Sequence, residues 1–243
     1  MPHLLGIEGL TPETISGLLD LSETYIDQNR SIDKRRDVLA MNLTYAEARA
    51  LEIGITIAGG ASVVVNDLGT ALDGQGSNAD PSDSVTEEII RAGGRAVADY
   101  NSVANPEGGE AIVAHALEEF GRVDILVNNA GNMRLSSFAK LDVRTLDEVL
   151  DVHLGGTFYV TKPAYEVMMK QQYGRIVLTS SGLGAFGIYG ANLYAAAKGG
   201  VMGLLNVLRL EAPRFGIKVN AVAPMARTRM SGDDLYAALP DAF

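Results

Sequence analysis

Residues 60–69 read GASVVVNDLG. The run SVVVN is apolar and β-branched, as a strand covered on both faces requires. It ends on the carboxylate of Asp67 and turns at Gly69. Such a strand is half of a dinucleotide site, because a carboxylate at its end can take the hydroxyls of a ribose. The other half is expected just upstream, as a strand and a glycine-rich loop that holds a pyrophosphate.

Downstream of this stretch the pattern is regular. Strands are predicted at 62–66, 95–99, 123–128, 174–179 and 217–222, and helices at 84–92, 108–120, 144–171 and 191–214. Strands alternating with helices of this length imply βαβ crossovers. The expected fold is α/β, a doubly wound parallel sheet of Rossmann-like form. A polar loop occupies 68–83. Upstream, Thr11 and Pro12 open a predicted helix over 11–26, YAEARALEI (45–53) favours helix, and ITIAGG (55–60) suits either helix or strand and turn.

The bulk properties narrow the function. The 243 residues, 47% apolar and 21% charged, suit one sizeable folded domain with or without an appendage. A formal charge of −10 argues against nucleic acid or an anionic membrane as partner. There is no cysteine, and His3, His115 and His153 are too scattered to suggest a zinc site, so no metal is expected. MPHLLGIEGL does not read as a signal peptide, and no apolar run approaches the ~20 residues of a membrane span. A cytoplasmic protein is expected.

Residues 190–200 read GANLYAAAKGG and carry the chemistry. Tyr194 and Lys198 are four apart on a predicted helix, hence on one face. A phenol is a useful acid or base only if its pKa falls from ~10. An ammonium ~4 Å away at an effective dielectric of ~20 offers ~4 kcal/mol towards that. Alone, a Tyr and a Lys at this spacing are more often surface neighbours. The context adds weight. LTSSGLG (178–184) ends a strand and sets Ser181 thirteen residues before Tyr194. VNNAG (127–131) ends another strand, and NAVAP (220–224) a third, with Thr228 just beyond.

From about 45 to 230 these residues resemble the short-chain dehydrogenase/reductase superfamily. The resemblance rests on Asp67, NNAG at 128–131, Ser181 with Tyr194 and Lys198, and NAVAP at 220–224. VVVNDLG, GRIVLTSS and GANLYAAAKGG are most similar to the hydroxyacyl-CoA dehydrogenase domain of peroxisomal multifunctional enzymes and its bacterial relatives. The resemblance implies an NAD-dependent exchange of hydride with a secondary alcohol or ketone. It implies Tyr194 as acid/base, Lys198 as its electrostatic partner and ribose ligand, and Ser181 as the group orienting substrate oxygen. Asp67 would take the adenosine ribose and disfavour NADP. Asn101, Ser102 and Val103 would flank adenine, Asn129 would lie beside the cofactor, and Thr228 near nicotinamide. The partners implied are an alcohol, ketone or acyl-CoA substrate and a second copy of the chain, in a homodimer or tetramer paired through 144–171 and 191–214.

The chain also departs from that pattern. No glycine lies between Gly17 and Gly54, so the phosphate loop is missing where RRDVLAMNLT (35–44) stands. The first strand is expected to be lacking too, with 3–8 or 53–58 as weak substitutes, and the last strand likewise. His153 stands where the superfamily usually has an asparagine of a proton relay. A relay role and a histidine packed in its helix are both open. In ADYNSV (98–103) the acid is Asp99, where these relatives more often carry it at the position of Asn101. Residues 2–38 resemble the start of bacterial aspartate carbamoyltransferases, without their phosphate motif. The expected organisation is an N-terminal helical appendage at 1–42 and a truncated dehydrogenase domain at 43–243. The alternative to an active oxidoreductase is a degenerate member without cofactor binding, a fold-only or oligomerising module.

Overall fold

The computed structural model describes residues 38–42, 61–69 and 80–224. All of them belong to one compact unit, 37–243. Six strands form one parallel sheet: β1 (Val38–Asn42), β2 (Ser62–Asn66), β3 (Arg95–Asp99), β4 (Ile125–Asn128), β5 (Gly174–Thr179) and β6 (Ile217–Val222). Their spatial order is β3-β2-β1-β4-β5-β6. The chain therefore winds outward from β1 in one direction and then, from β4, in the other. The switch point lies where the carboxyl ends of β1 and β4 meet, with Asn42 in register with both Asn66 and Asn128. Open α/β sheets bind ligands in this crevice.

The central position expected to lack its strand is filled. Val38–Asn42, assigned from sequence to the appendage, pairs with β2 on one side and β4 on the other. The physical reason is in the run VLAM: four consecutive apolar residues between the charged stretch 31–37 and Asn42 meet the requirement of a central parallel strand. The weak substitutes at 3–8 and 53–58, residues 35–37 and 43–44 of the stretch that stands where the phosphate loop is missing, and everything after 224 lie outside the described residues. Among the described residues β6 is the outermost strand on its side.

Alternation along β2 explains its unbroken apolar run. Val63 and Val65 face one layer with Val85 and Ile89 of α1 (Asp80–Arg91). Val64 faces the other, with Ile112, Val113 and Ala116 of α2 (Pro106–Phe120). That second layer also holds Val160, Ala164 and Met168 of α4 (Gly156–Gln171) and Val201 of α6 (Asn192–Glu211). The α2 helix begins where sequence chemistry dictates. Asn105 accepts the Gly108 N–H at 2.7 Å, and Pro106 occupies the first helical position.

The helix expected over 144–171 is interrupted. The short α3 (Leu146–Leu150) runs into a π turn, Asp151–Gly155, closed by a bond from the Gly156 N–H to the Asp151 carbonyl. Further along α4, Pro163 has no N–H to offer the carbonyl of Tyr159. Gly109 of α2 packs there, and a Cβ on it would stand 2.4 Å from that oxygen. Among the described residues no helix is long and apolar enough to cross a membrane.

Candidate active site

Tyr194 and Lys198 lie one turn apart on α6, and both are buried. The Lys198 Nζ sits 5.7 Å from the centroid of the Tyr194 ring. It donates to the Thr179 carbonyl at the end of β5, at 2.6 Å. Burial pulls the ammonium down to about 8. Lys198 thus stays mostly charged at neutral pH, and its field acts through little intervening water.

Two contacts press the loop after β5 onto this turn of helix. Ser180 Oγ donates to the Lys198 carbonyl at 3.2 Å. Gly184, in the short α5 (Leu183–Phe186), approaches so closely that a Cβ would meet Lys198 C and Gly199 N at 2.8 Å. Ser181 stands between them, its Oγ accepting the Leu183 N–H at 3.2 Å. The loop bearing the serine and the helix bearing Tyr194 and Lys198 are therefore in direct contact.

His153 sits on the π turn and is 2% exposed. Its ring meets that of Tyr194 edge to face, centroids 5.1 Å apart. Burial, and next the charge of Lys198, push its pKa down to about 3, so the imidazole is neutral at physiological pH. Its Nε2 lies 3.1 Å from the Asn132 N–H and 2.8 Å from the Asn132 carbonyl, and a neutral ring serves one of these two at a time. Its Nδ1 has no hydrogen-bond partner among the described residues. Of the two readings open in the sequence, the packed histidine has the Tyr194 ring and the backbone of Asn132 as its contacts. A cationic relay would require a proton that this environment disfavours.

A second group of predicted residues lies at the carboxyl edge of β2 and β3. The Asp67 N–H donates to the Asp99 carbonyl at 3.1 Å, and Asp67 Oδ1 accepts the Gly69 N–H at 2.7 Å. Ser82 Oγ, buried at the start of α1, reaches both the Asp67 and Asp99 carbonyls, at 3.0 and 3.2 Å. Asn101 is exposed just beyond β3, Ser102 Oγ accepts the Ala104 N–H at 3.2 Å, and Val103 is buried against Gly156. At the end of β4 the two asparagines divide their tasks. Asn128 is buried and donates to Thr161 Oγ1 at 2.9 Å, while Asn129 is half-buried at the crevice. Thr228 lies outside the described residues.

Sequence reasoning passed over Thr179 and Asn132 and offered Ser180 only strand-end capping; their parts are played by backbone or by bonds across the fold. The available signal was position: each neighbours a quoted motif. The donor set fits a nicotinamide dinucleotide. The Asp67 carboxylate stands past β2, and the Lys198 ammonium and the Tyr194 phenol lie buried beside the end of β5.

The family model for short chain dehydrogenases matches residues 61–235. The chain belongs to the short-chain dehydrogenase family. A peroxisomal hydratase-dehydrogenase-epimerase of Saccharomyces cerevisiae is 49% identical over 172 residues, 71% of this chain and 19% of that one. A peroxisomal multifunctional enzyme type 2 of Mus musculus is 46% identical over 184 residues, 74% of this chain and 25% of that one. The chain thus spans a quarter or less of the length of these two relatives. Among solved structures, a short chain dehydrogenase from Mycobacterium avium superposes with a TM-score of 0.70 at 40% identity, covering 80% of this chain and 70% of that one. The family match begins at residue 61 and gives the resemblance of 2–38 to carbamoyltransferases no support.

Proposed function

We propose that this short-chain dehydrogenase transfers hydride between NAD and a secondary alcohol or ketone, with a 3-hydroxyacyl-CoA as the substrate class. The observation that carries the reading is the buried Tyr194–Lys198 pair. An ammonium held by Thr179 beside the phenol ring favours negative charge on the phenolic oxygen. Tyr194 then takes the proton from the substrate hydroxyl in oxidation and returns it in reduction. Ser181 holds the same substrate oxygen. Asp67 accepts from the ribose hydroxyls and repels a 2′-phosphate, so NAD is preferred to NADP. Asn129 and Thr228 line the cofactor, the latter near its nicotinamide end. When bound, the nicotinamide supplies the hydride acceptor or donor.

Two features support an acyl substrate. One relative is by name both a hydratase and a dehydrogenase, and hydration of an unsaturated acyl chain makes the alcohol that a dehydrogenase oxidises. The loops beside Ser181 are also apolar and exposed at Leu135, Phe138, Phe186 and Tyr189. A bond from the Ser136 N–H to the Gly190 carbonyl, 2.9 Å, ties these loops together. Exposed Phe158 on α4, with Val207 and Leu210 on α6, supports pairing of two copies through these helices.

The test is calorimetric titration with NAD, followed by NADH formation from a 3-hydroxyacyl-CoA. Binding with turnover is expected. No heat at millimolar NAD would leave a fold-only module.

A further inference from the structure

Asp99 is the last residue of β3 and is 2% exposed. Its carboxylate is fully engaged from within. Oδ1 accepts from Asn66 Nδ2 at 2.6 Å and from the Asn101 N–H at 3.0 Å. Oδ2 accepts from Asn101 Nδ2 at 2.9 Å and faces His115 Nδ1 at 2.9 Å. An ionised carboxylate offers about four acceptor positions, so none remains for a ligand. Asn66 Nδ2 also donates to the Asn101 carbonyl at 2.8 Å, which fixes the backbone of the same residue.

We infer that Asp99 is a positioning residue that locks the side-chain amide of Asn101, so that its carbonyl oxygen is presented to the 6-amino group of a bound purine. A carboxylate only accepts. The NH2 of Asn101 must therefore turn inward to Asp99, and Oδ1 is left as the outward polar atom of an exposed residue. The inference rests on the nucleotide reading above. Asp67, which would hold the ribose, follows β2 and bonds to the end of β3. Neighbouring strands are about 4.8 Å apart, so a base on that ribose falls over the adjacent strand end, where Asn101 stands. The buried acid thus sets the polarity of a contact it never makes. An amide free to turn would read a 6-oxopurine equally well, by donating to it.

The experiment compares equilibrium binding of NAD and of nicotinamide hypoxanthine dinucleotide, in which a 6-oxo group replaces the amino group. Wild type is expected to bind NAD about tenfold more tightly. Asp99→Asn, whose amide can donate or accept, lowers this ratio towards one. Asn101→Ala abolishes it, and adding Asp99→Asn to Asn101→Ala changes it no further. In uncomplexed wild type, the Asn101 side-chain amide protons, identified by their loss in Asn101→Ala, exchange slowly with solvent. A wild type that binds both nucleotides equally overturns the inference and leaves nucleotide binding intact. So does an Asp99→Asn variant that weakens both nucleotides with the ratio unchanged, or fast exchange of those amide protons. A wild type that binds neither nucleotide overturns the nucleotide reading, and this inference with it.

Discussion

Gly131 and His153 are fitted to each other: a Cβ at residue 131 would stand 2.4 Å from His153 Cε1 and 3.1 Å from Nδ1. The glycine of NNAG is thus a space requirement of a ring that also packs on Tyr194. Gly131→Ala is expected to cost about 1–3 kcal/mol, as overpacking of a closed site does. In a His153→Asn background the cost should shrink, because the side chain is smaller. Urea unfolding of the four proteins measures the coupling, and an equal penalty in both backgrounds would contradict the fit.

His153 predicts a loss of stability in acid. Its pKa is about 3 in the native protein, through burial first and Lys198 second, against 6.5 for a free imidazole. Between those values the unfolded chain binds a proton that the native state refuses. Stability therefore falls as pH drops from 6.5 towards 3. From pH 7.5 to 4.5 this one residue should account for about 2–3 kcal/mol. His153→Asn should flatten the dependence by that amount, read as the difference in unfolding free energy at the two pH values.

Lys198 predicts the opposite end of the scale. Its pKa is lowered to about 8 by burial, from 10.5. Below pH 8 both states carry the proton, and the cost of the buried charge is fully present. As pH rises from 8 to 10.5 the native state has shed its proton and the unfolded chain has not, so stability gains. Relative to Lys198→Met, wild type should gain about 3 kcal/mol over this window. Denaturant curves at pH 7.5 and 10.5 test it.

Tyr194→Phe keeps the ring against His153 and removes only the hydroxyl. Turnover should fall by about 10²–10⁴ with the far-ultraviolet circular dichroism unchanged. Substantial residual turnover would remove Tyr194 from the acid/base role.

Asp67→Ser exchanges a charge that repels a 2′-phosphate for a neutral hydroxyl. The preference for NAD over NADP, as a ratio of dissociation constants, should drop at least about tenfold. An unchanged ratio would show that discrimination lies elsewhere.

Much of this was legible locally. The strand SVVVN follows from an unbroken β-branched run and the α6 pair Tyr194 and Lys198 from four-residue spacing, and both are where those patterns put them. Helix boundaries at Asn105 and Pro106 follow from which residues can satisfy a free N–H. Val38–Asn42 was read as the site of a missing loop, because the absence of glycine was informative and four apolar residues were not. The helix over 144–171 was read as continuous. Its π turn at Asp151–Gly155 adds one residue to a single turn, which barely alters the apolar period.

The sequence by itself determined the family, the strand and helix alternation, and the shared face of phenol and amine, because these depend on residues within a few positions of one another. Tertiary structure alone decided which apolar run completes the sheet. It also decided that His153 is neutral, and that the carboxylate of Asp99 is spent on Asn66, Asn101 and His115. Strand pairing, desolvation and the filling of a carboxylate's acceptor sites are set by groups tens of residues away, and no local period encodes them.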